Sequence, residues 1–169
     1  MGYVPNYTRA FSLRPDMFVV WTELIKTARS AMDARRYEIA TVGAAIALES
    51  SYCTLAHGEK LLELGSDEAE VRSLVTDGSA LDEQEQTILE YAAKVARSAA
   101  SVTEKDIEGL RLVGLNDTEI FDVAAVAAAR CFFSKLLDAT GTRPDAVFRE
   151  RLPALVDALT VGRAPEEAP

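Results

Sequence analysis

An all-α bundle of about seven to eight helices is the fold class that this sequence predicts. Apolar residues recur at helical spacing along most of the chain, as Met17, Trp21, Leu24, Ala28 and Met32 do near its start. Residues that cap and stop helices stand between these stretches. Strand signals are lacking: β-branched runs are few, and no Asn-Gly or Asp-Gly pair joins two alternating segments.

The elements follow in order. Pro15 suits a first helical turn, and the periodicity behind it predicts a helix over 15–31. Asp33 caps a second helix. Its later part, "IATVGAAIAL" (39–48), is almost wholly apolar, which requires burial in a core or a subunit interface. Ser50 or Ser51 offers an N-cap for a helix to about Leu64, with Gly65 as its stop. Ser66 or Asp67 opens a short helix that ends near Asp77-Gly78, and Ile88, Ala92, Val95 and Ala99 define a face over 82–99. Thr103 with Asp106, and Asn116 with Glu119, have capping-box spacing. The first starts a helix that Gly114 ends. The second starts a long apolar helix to about Thr140, stopped by Gly141. A last amphipathic helix is expected over 144–160.

The 169 residues suit a single domain, 1–160, followed by a flexible acidic tail over 161–169. The chain is 49% hydrophobic with a net charge of −9, and its basic residues do not cluster, so nucleic acid is excluded as a partner class. No apolar run follows basic residues at the N-terminus, and no long uncharged apolar stretch occurs. Neither a secretory signal nor a membrane partner is expected. A cytoplasmic location with two reduced thiols, Cys53 and Cys131, is the expectation. The apolar segments 39–48 and 120–137 are more than one chain of this size should hide, which predicts a homo-oligomer.

Chemistry concentrates in "ESSYCTLAHGEKL" (49–61), which holds the only histidine, His57, and one of the two cysteines, Cys53. Residues four apart share a helix face, so the imidazole can take the thiol proton directly or through one water. Cys53 would also stand in a first turn, where free N–H groups favour a thiolate. The plainer alternative is a small buried thiol beside a satisfied imidazole. Metal is disfavoured, because one histidine and one nearby cysteine fall short of a zinc ligand set, and no cofactor is implied. Glu38 is the last charged residue before the apolar run. A carboxylate there needs a partner, unless it lies exposed in the first turn.

The stretch "YEIATVGAAIALESSYCTLAHGEKLLELG" (37–65) resembles the core of the alkylhydroperoxidase D and carboxymuconolactone decarboxylase superfamily. "VPNYTRAFSLRPDMFVVWTELIKTA" is similar to the family's opening, and residues 102–145 are similar to the C-terminal half of its peroxidase-related subgroup. The resemblance implies an all-α bundle that assembles as dimers, trimers or hexamers. It implies a peroxidatic role for Cys53, with His57 and Glu38 relaying its proton and Tyr52 before it as in many members. The substrate implied is a small hydroperoxide, reduced in an antioxidant-type reaction. Ser50 stands where the family's redox members carry the resolving cysteine, and a hydroxyl cannot reduce a sulfenic acid. Three outcomes stay open: a one-cysteine peroxidase served by an external thiol, resolution by Cys131, or a non-redox member. The last would be a decarboxylase- or lactone-type enzyme, or a small-molecule binding protein.

Overall fold

The computed structural model describes residues 3–167. Residues 1–2 and 168–169, the outer ends of the expected domain and tail, lie outside the described residues. Among the described residues the chain is all-helical, with ten α-helices, one 3₁₀ turn and no strand. In chain order they are α1 (Asn6–Phe11), α2 (Pro15–Ser30), α3 (Ala34–Ala47), α4 (Ser51–Glu63), α5 (Glu68–Ser73), α6 (Glu83–Ser98), α7 (Glu104–Leu112), α8 (Asp117–Ala139), α9 (Phe148–Arg151) and α10 (Val156–Leu159). None is long and apolar enough to cross a membrane.

Helix α3 is the axis of the bundle. Every residue from Tyr37 to Ala45 is buried, with α4, α6 and α8 packed around it. Gly43 permits the closest approach, since a Cβ placed there would lie 2.4 Å from the backbone oxygen of Leu89 on α6. The start of α3 is tied down by its own cap and by two arginines. Asp33 accepts hydrogen bonds from the amides of Arg35 and Arg36. Arg35 donates to Glu85 on α6, to Ser66 and to Glu70 on α5, while Arg36 reaches Glu119 on α8 at 2.6 Å. Both predicted capping boxes form: Asp106 accepts the amide of Thr103 at 2.7 Å, and Glu119 accepts that of Asn116 at 2.9 Å. Gly65, Gly114 and Gly141 follow their helices with positive φ, as helix stops do.

Several expectations are corrected. The helix count is ten because α1 was not signalled and the expected 144–160 helix is broken. Pro153 lacks an amide hydrogen and pushes Leu152 to φ −125°, ψ 49°, so only α9 and α10 form. The inward face of α2 is Phe18, Trp21, Ile25 and Ala28, whereas Met17 and Leu24 turn outward with Val20. Helix α8 is one-sided: Val123, Val126, Ala127, Arg130, Phe133, Ser134 and Leu137 face inward, while Phe121 and Phe132 face out. After α10 the chain makes contacts with the fold as far as Glu166. Arg143 and Arg149 donate to the carbonyl of Pro165, and the Glu166 amide donates to the carbonyl of Pro144 at 3.0 Å.

Replacing Gly43 by alanine forces the α3 and α6 backbones apart. Gly43→Ala is expected to cost upward of about 2 kcal/mol, read as a lower midpoint of urea unfolding with an unchanged slope.

Candidate active site

Helix α4 begins at Ser51, so Cys53 lies in its first turn and His57 one turn further on. Both side chains line a cavity of about 300 Å³. Helix α3 supplies Tyr37 and Glu38 to its floor, α8 supplies Arg130 and Phe133, and α2 covers it with Phe18, Trp21 and Ile25. These side chains are brought together from four helices, α2, α3, α4 and α8.

Glu38 is 1% exposed, so the alternative of a solvated first-turn carboxylate is overturned. Its two oxygens have separate partners. Oε2 lies 2.5 Å from His57 Nδ1, and Oε1 lies 3.8 Å from the guanidinium of the half-exposed Arg29. Burial depresses the His57 pKa below the usual 6.5, and the charge of Arg130 adds to this; the hydrogen bond to Glu38 pulls the other way. At neutral pH the ring is therefore neutral. Its Nδ1–H donates to the carboxylate, which leaves the Nε2 lone pair as the proton acceptor. The sign for stability follows. Full stability is present above pH 6.5, and part of it is lost as pH falls from there through the depressed folded-state value.

Cys53 is 1% exposed and unbonded to any other sulfur. Its Sγ lies 3.2 Å from Ser134 Oγ and accepts a contact from Arg130 Nη1 at 3.8 Å. Arg130 is 2% exposed. It also donates to the Tyr37 hydroxyl at 3.3 Å and sits over the rings of Trp21 and Phe133, at 5.7 Å and 5.5 Å from their centroids.

Ser50 occupies the N-cap position of α4, but its hydroxyl caps nothing; it is buried without a hydrogen-bond partner. Tyr52 lines the cavity and donates its hydroxyl to Asp145, while the Tyr7 amide donates to that hydroxyl at 3.3 Å. Burial, then the Asp145 contact, push the Tyr52 phenol far above its ordinary range, so it stays protonated and ties α4 to the C-terminal loop. Cys131 turns away: its thiol points at the carbonyls of Ala127 and Ala96, and it does not line the cavity.

No protein-family model and no curated protein matches the sequence. Solved structures do match. A peroxidase-related protein from Silicibacter sp. TM1040 shares 27% identity over 88% of this chain and 80% of its own, with a TM-score of 0.78. The chain has the alkylhydroperoxidase D-like fold. A second peroxidase-related protein, from Ralstonia eutropha JMP134 and described as an alkylhydroperoxidase D core, shares 23% identity. It covers 98% of this chain and 84% of its own at a TM-score of 0.78. The debrominase Bmp8, solved with 2,3,4-tribromopyrrole, has the same fold at 17% identity and a TM-score of 0.76, over 90% of this chain and 83% of its own.

In this alkylhydroperoxidase D-like chain the four positions singled out by spacing and resemblance, Glu38, Ser50, Cys53 and His57, fall on α3, at the α3–α4 junction and on α4. Sequence reasoning missed Arg130 and Ser134. "AARCFF" reads as apolar, yet Arg130 and Ser134 sit on the 123/126/127/130/133/134/137 stripe of α8. A charge on an otherwise apolar helical stripe was the available signal.

The chain has a single histidine, so its imidazole resonances report His57 without ambiguity. Titrated by NMR, they are expected to show a midpoint below 6.5. Glu38→Gln moves it lower, because the carboxylate raises it, and Arg130→Met moves it higher, because the guanidinium lowers it.

Proposed function

We propose that the chain is a thiol-dependent, peroxidase-like oxidoreductase with Cys53 as its reacting thiol and His57 and Glu38 as its proton relay. The observation that carries this is the shared cavity: a buried thiol and a carboxylate-oriented neutral imidazole open into the same 300 Å³ space. The balance runs as follows. His57 Nε2 takes the thiol proton, and the thiolate attacks the terminal oxygen of a small hydroperoxide. The O–O bond breaks, the sulfur is oxidised by two electrons to sulfenic acid, and the imidazolium returns its proton to the leaving alkoxide, giving an alcohol. Two equivalents of an external thiol then restore Cys53, forming their disulfide and one water. Ser50 cannot act as resolver, and the direction of the Cys131 thiol favours an external reductant over that residue.

A second reading rests on the cavity walls. Tyr7, Phe18, Trp21, Tyr37, Tyr52 and Phe133 make them aromatic, which suits a planar aromatic ligand. The likeness to a debrominase that binds a bromopyrrole lends support to it. The chain would then be a small-molecule binding member of the superfamily, or an enzyme that acts on such compounds. Binding retained in full by Cys53→Ala would favour this reading.

We also propose a homo-oligomer, a dimer, trimer or hexamer. The apolar surplus lies on the outer face of α2, where Val19, Val20 and Leu24 are 61%, 71% and 53% exposed, with Phe132 of α8 beside them. Leu24→Glu is expected to reduce the mass seen by light scattering towards that of one chain; a wild-type monomer would refute the assembly.

The peroxidase reading is tested by peroxide loss with cumene hydroperoxide and dithiothreitol. Cys53→Ser is expected to remove the catalysed rate and His57→Ala to lower it by about 10²-fold; equal consumption by wild type and Cys53→Ser sinks the reading. Ser50→Cys is expected to yield a 50–53 disulfide after one equivalent of peroxide, detected by mass spectrometry.

A further inference from the structure

The cations around the cavity are not equivalent. Among the described residues that line it, Arg29 is engaged with Glu38 and Lys60 with Glu63, and both are partly exposed. Arg130 alone has no carboxylate partner, although it is the most buried of the three. Glu38 is the only buried acid of the cavity, and it is held by His57. The guanidinium thus rests on two aromatic faces, a tyrosine hydroxyl and a sulfur, and its Nε–H has no acceptor. A buried cation so placed costs stability, and an apolar side chain of the same volume would pack there more cheaply. An anion beside it would offset that cost, and the resting chain supplies none there.

We infer that Arg130 is the built-in counter-ion of a Cys53 thiolate: the cation that α8 carries into the core is matched when the thiol gives its proton to His57. The inference rests on Cys53 being the reacting thiol, as proposed above. Geometry supports it directly, since Nη1 already faces Sγ at 3.8 Å while Ser134 holds the other side of the sulfur at 3.2 Å. Tyr37 fixes the second arm of the fork, so the guanidinium is oriented before the charge appears. The same charge disfavours a proton on the resting His57, so the ring is neutral before the thiol ionises. The ionisation moves one proton from sulfur to Nε2 and creates a relay in which Arg130 faces the thiolate and Glu38 faces the imidazolium. Each new charge thereby meets a fixed opposite charge.

Iodoacetamide tests this without peroxide or reductant, because the thiolate displaces iodide from an uncharged reagent. Peptide mapping by mass spectrometry separates alkylation of Cys53 from that of Cys131. Arg130→Met is expected to slow alkylation of Cys53 by about tenfold at pH 7, with the difference narrowing towards about pH 10. Arg130→Lys should restore part of the rate. Thermal unfolding of Arg130→Met is expected to match or exceed that of wild type, since the buried charge is gone. Equal rates at pH 7 would overturn the inference. So would a deficit that persists unchanged at pH 10, which would mean altered access rather than ionisation. If Arg130→Met does not fold, Arg130→Gln, which removes the charge and keeps a polar side chain, carries the same comparison, and rates identical to wild type at pH 7 overturn the inference. A chain that alkylates in this Arg130-dependent way yet consumes no peroxide leaves the counter-ion standing and removes only the peroxidase reading.

Discussion

Helix α3 is buried on every side, and it carries one carboxylate into that burial. The bundle is organised around this constraint. An apolar helix of this kind can be covered only by several neighbours at once, so α4, α6 and α8 converge on it. The carboxylate of Glu38 cannot stay unpartnered in such a place. It is satisfied by His57 at 2.5 Å and, more loosely, by Arg29 at 3.8 Å. The first contact sets how α4 lies along α3, and the second holds the end of α2 over the cavity. Once α4 is so placed, its first turn brings Cys53 against α8. The feature that would most destabilise the core if unpaired is therefore also the one that assembles the site.

The cavity combines an apolar wall with a small number of charged groups. Six aromatic rings exclude water around the sulfur, which strengthens every electrostatic contact there. Neither buried charge sits in a conventional ion pair with the other. Glu38 belongs to the imidazole, while Arg130 belongs to the sulfur and the aromatic faces. This separation suits a thiol–imidazole couple whose charges appear only together. A direct Arg130–Glu38 salt bridge would be more stable at rest and would leave nothing for the ionised couple to meet.

Ser50 sits at the junction of α3 and α4, where its main chain begins the helix by accepting the amides of Cys53 and Thr54, both at 3.1 Å. The side chain takes no part in this. Position 50 is thus held by its backbone, while its buried hydroxyl stays unpaired. The fold itself is shared with peroxidase-related proteins and with a debrominase.

The sequence by itself determined the helices that local physics governs. Asp33, Thr103 with Asp106, and Asn116 with Glu119 cap their helices through contacts within a turn, and Gly65, Gly114 and Gly141 stop them by a backbone preference. The Cys53–His57 pair was legible for the same reason, because one helical turn separates the two residues. The tertiary structure decided what distance along the chain conceals. It chose which face of α2 turns inward, left the apolar surplus there rather than on α3, and brought Arg130 and Ser134 of α8 to the sulfur of α4. Those residues carry no local signal beyond a charge on an apolar stripe, because their partners lie on other helices. Only packing around α3 establishes which groups meet, since burial of its carboxylate and closure of its apolar surface have to be satisfied at the same time.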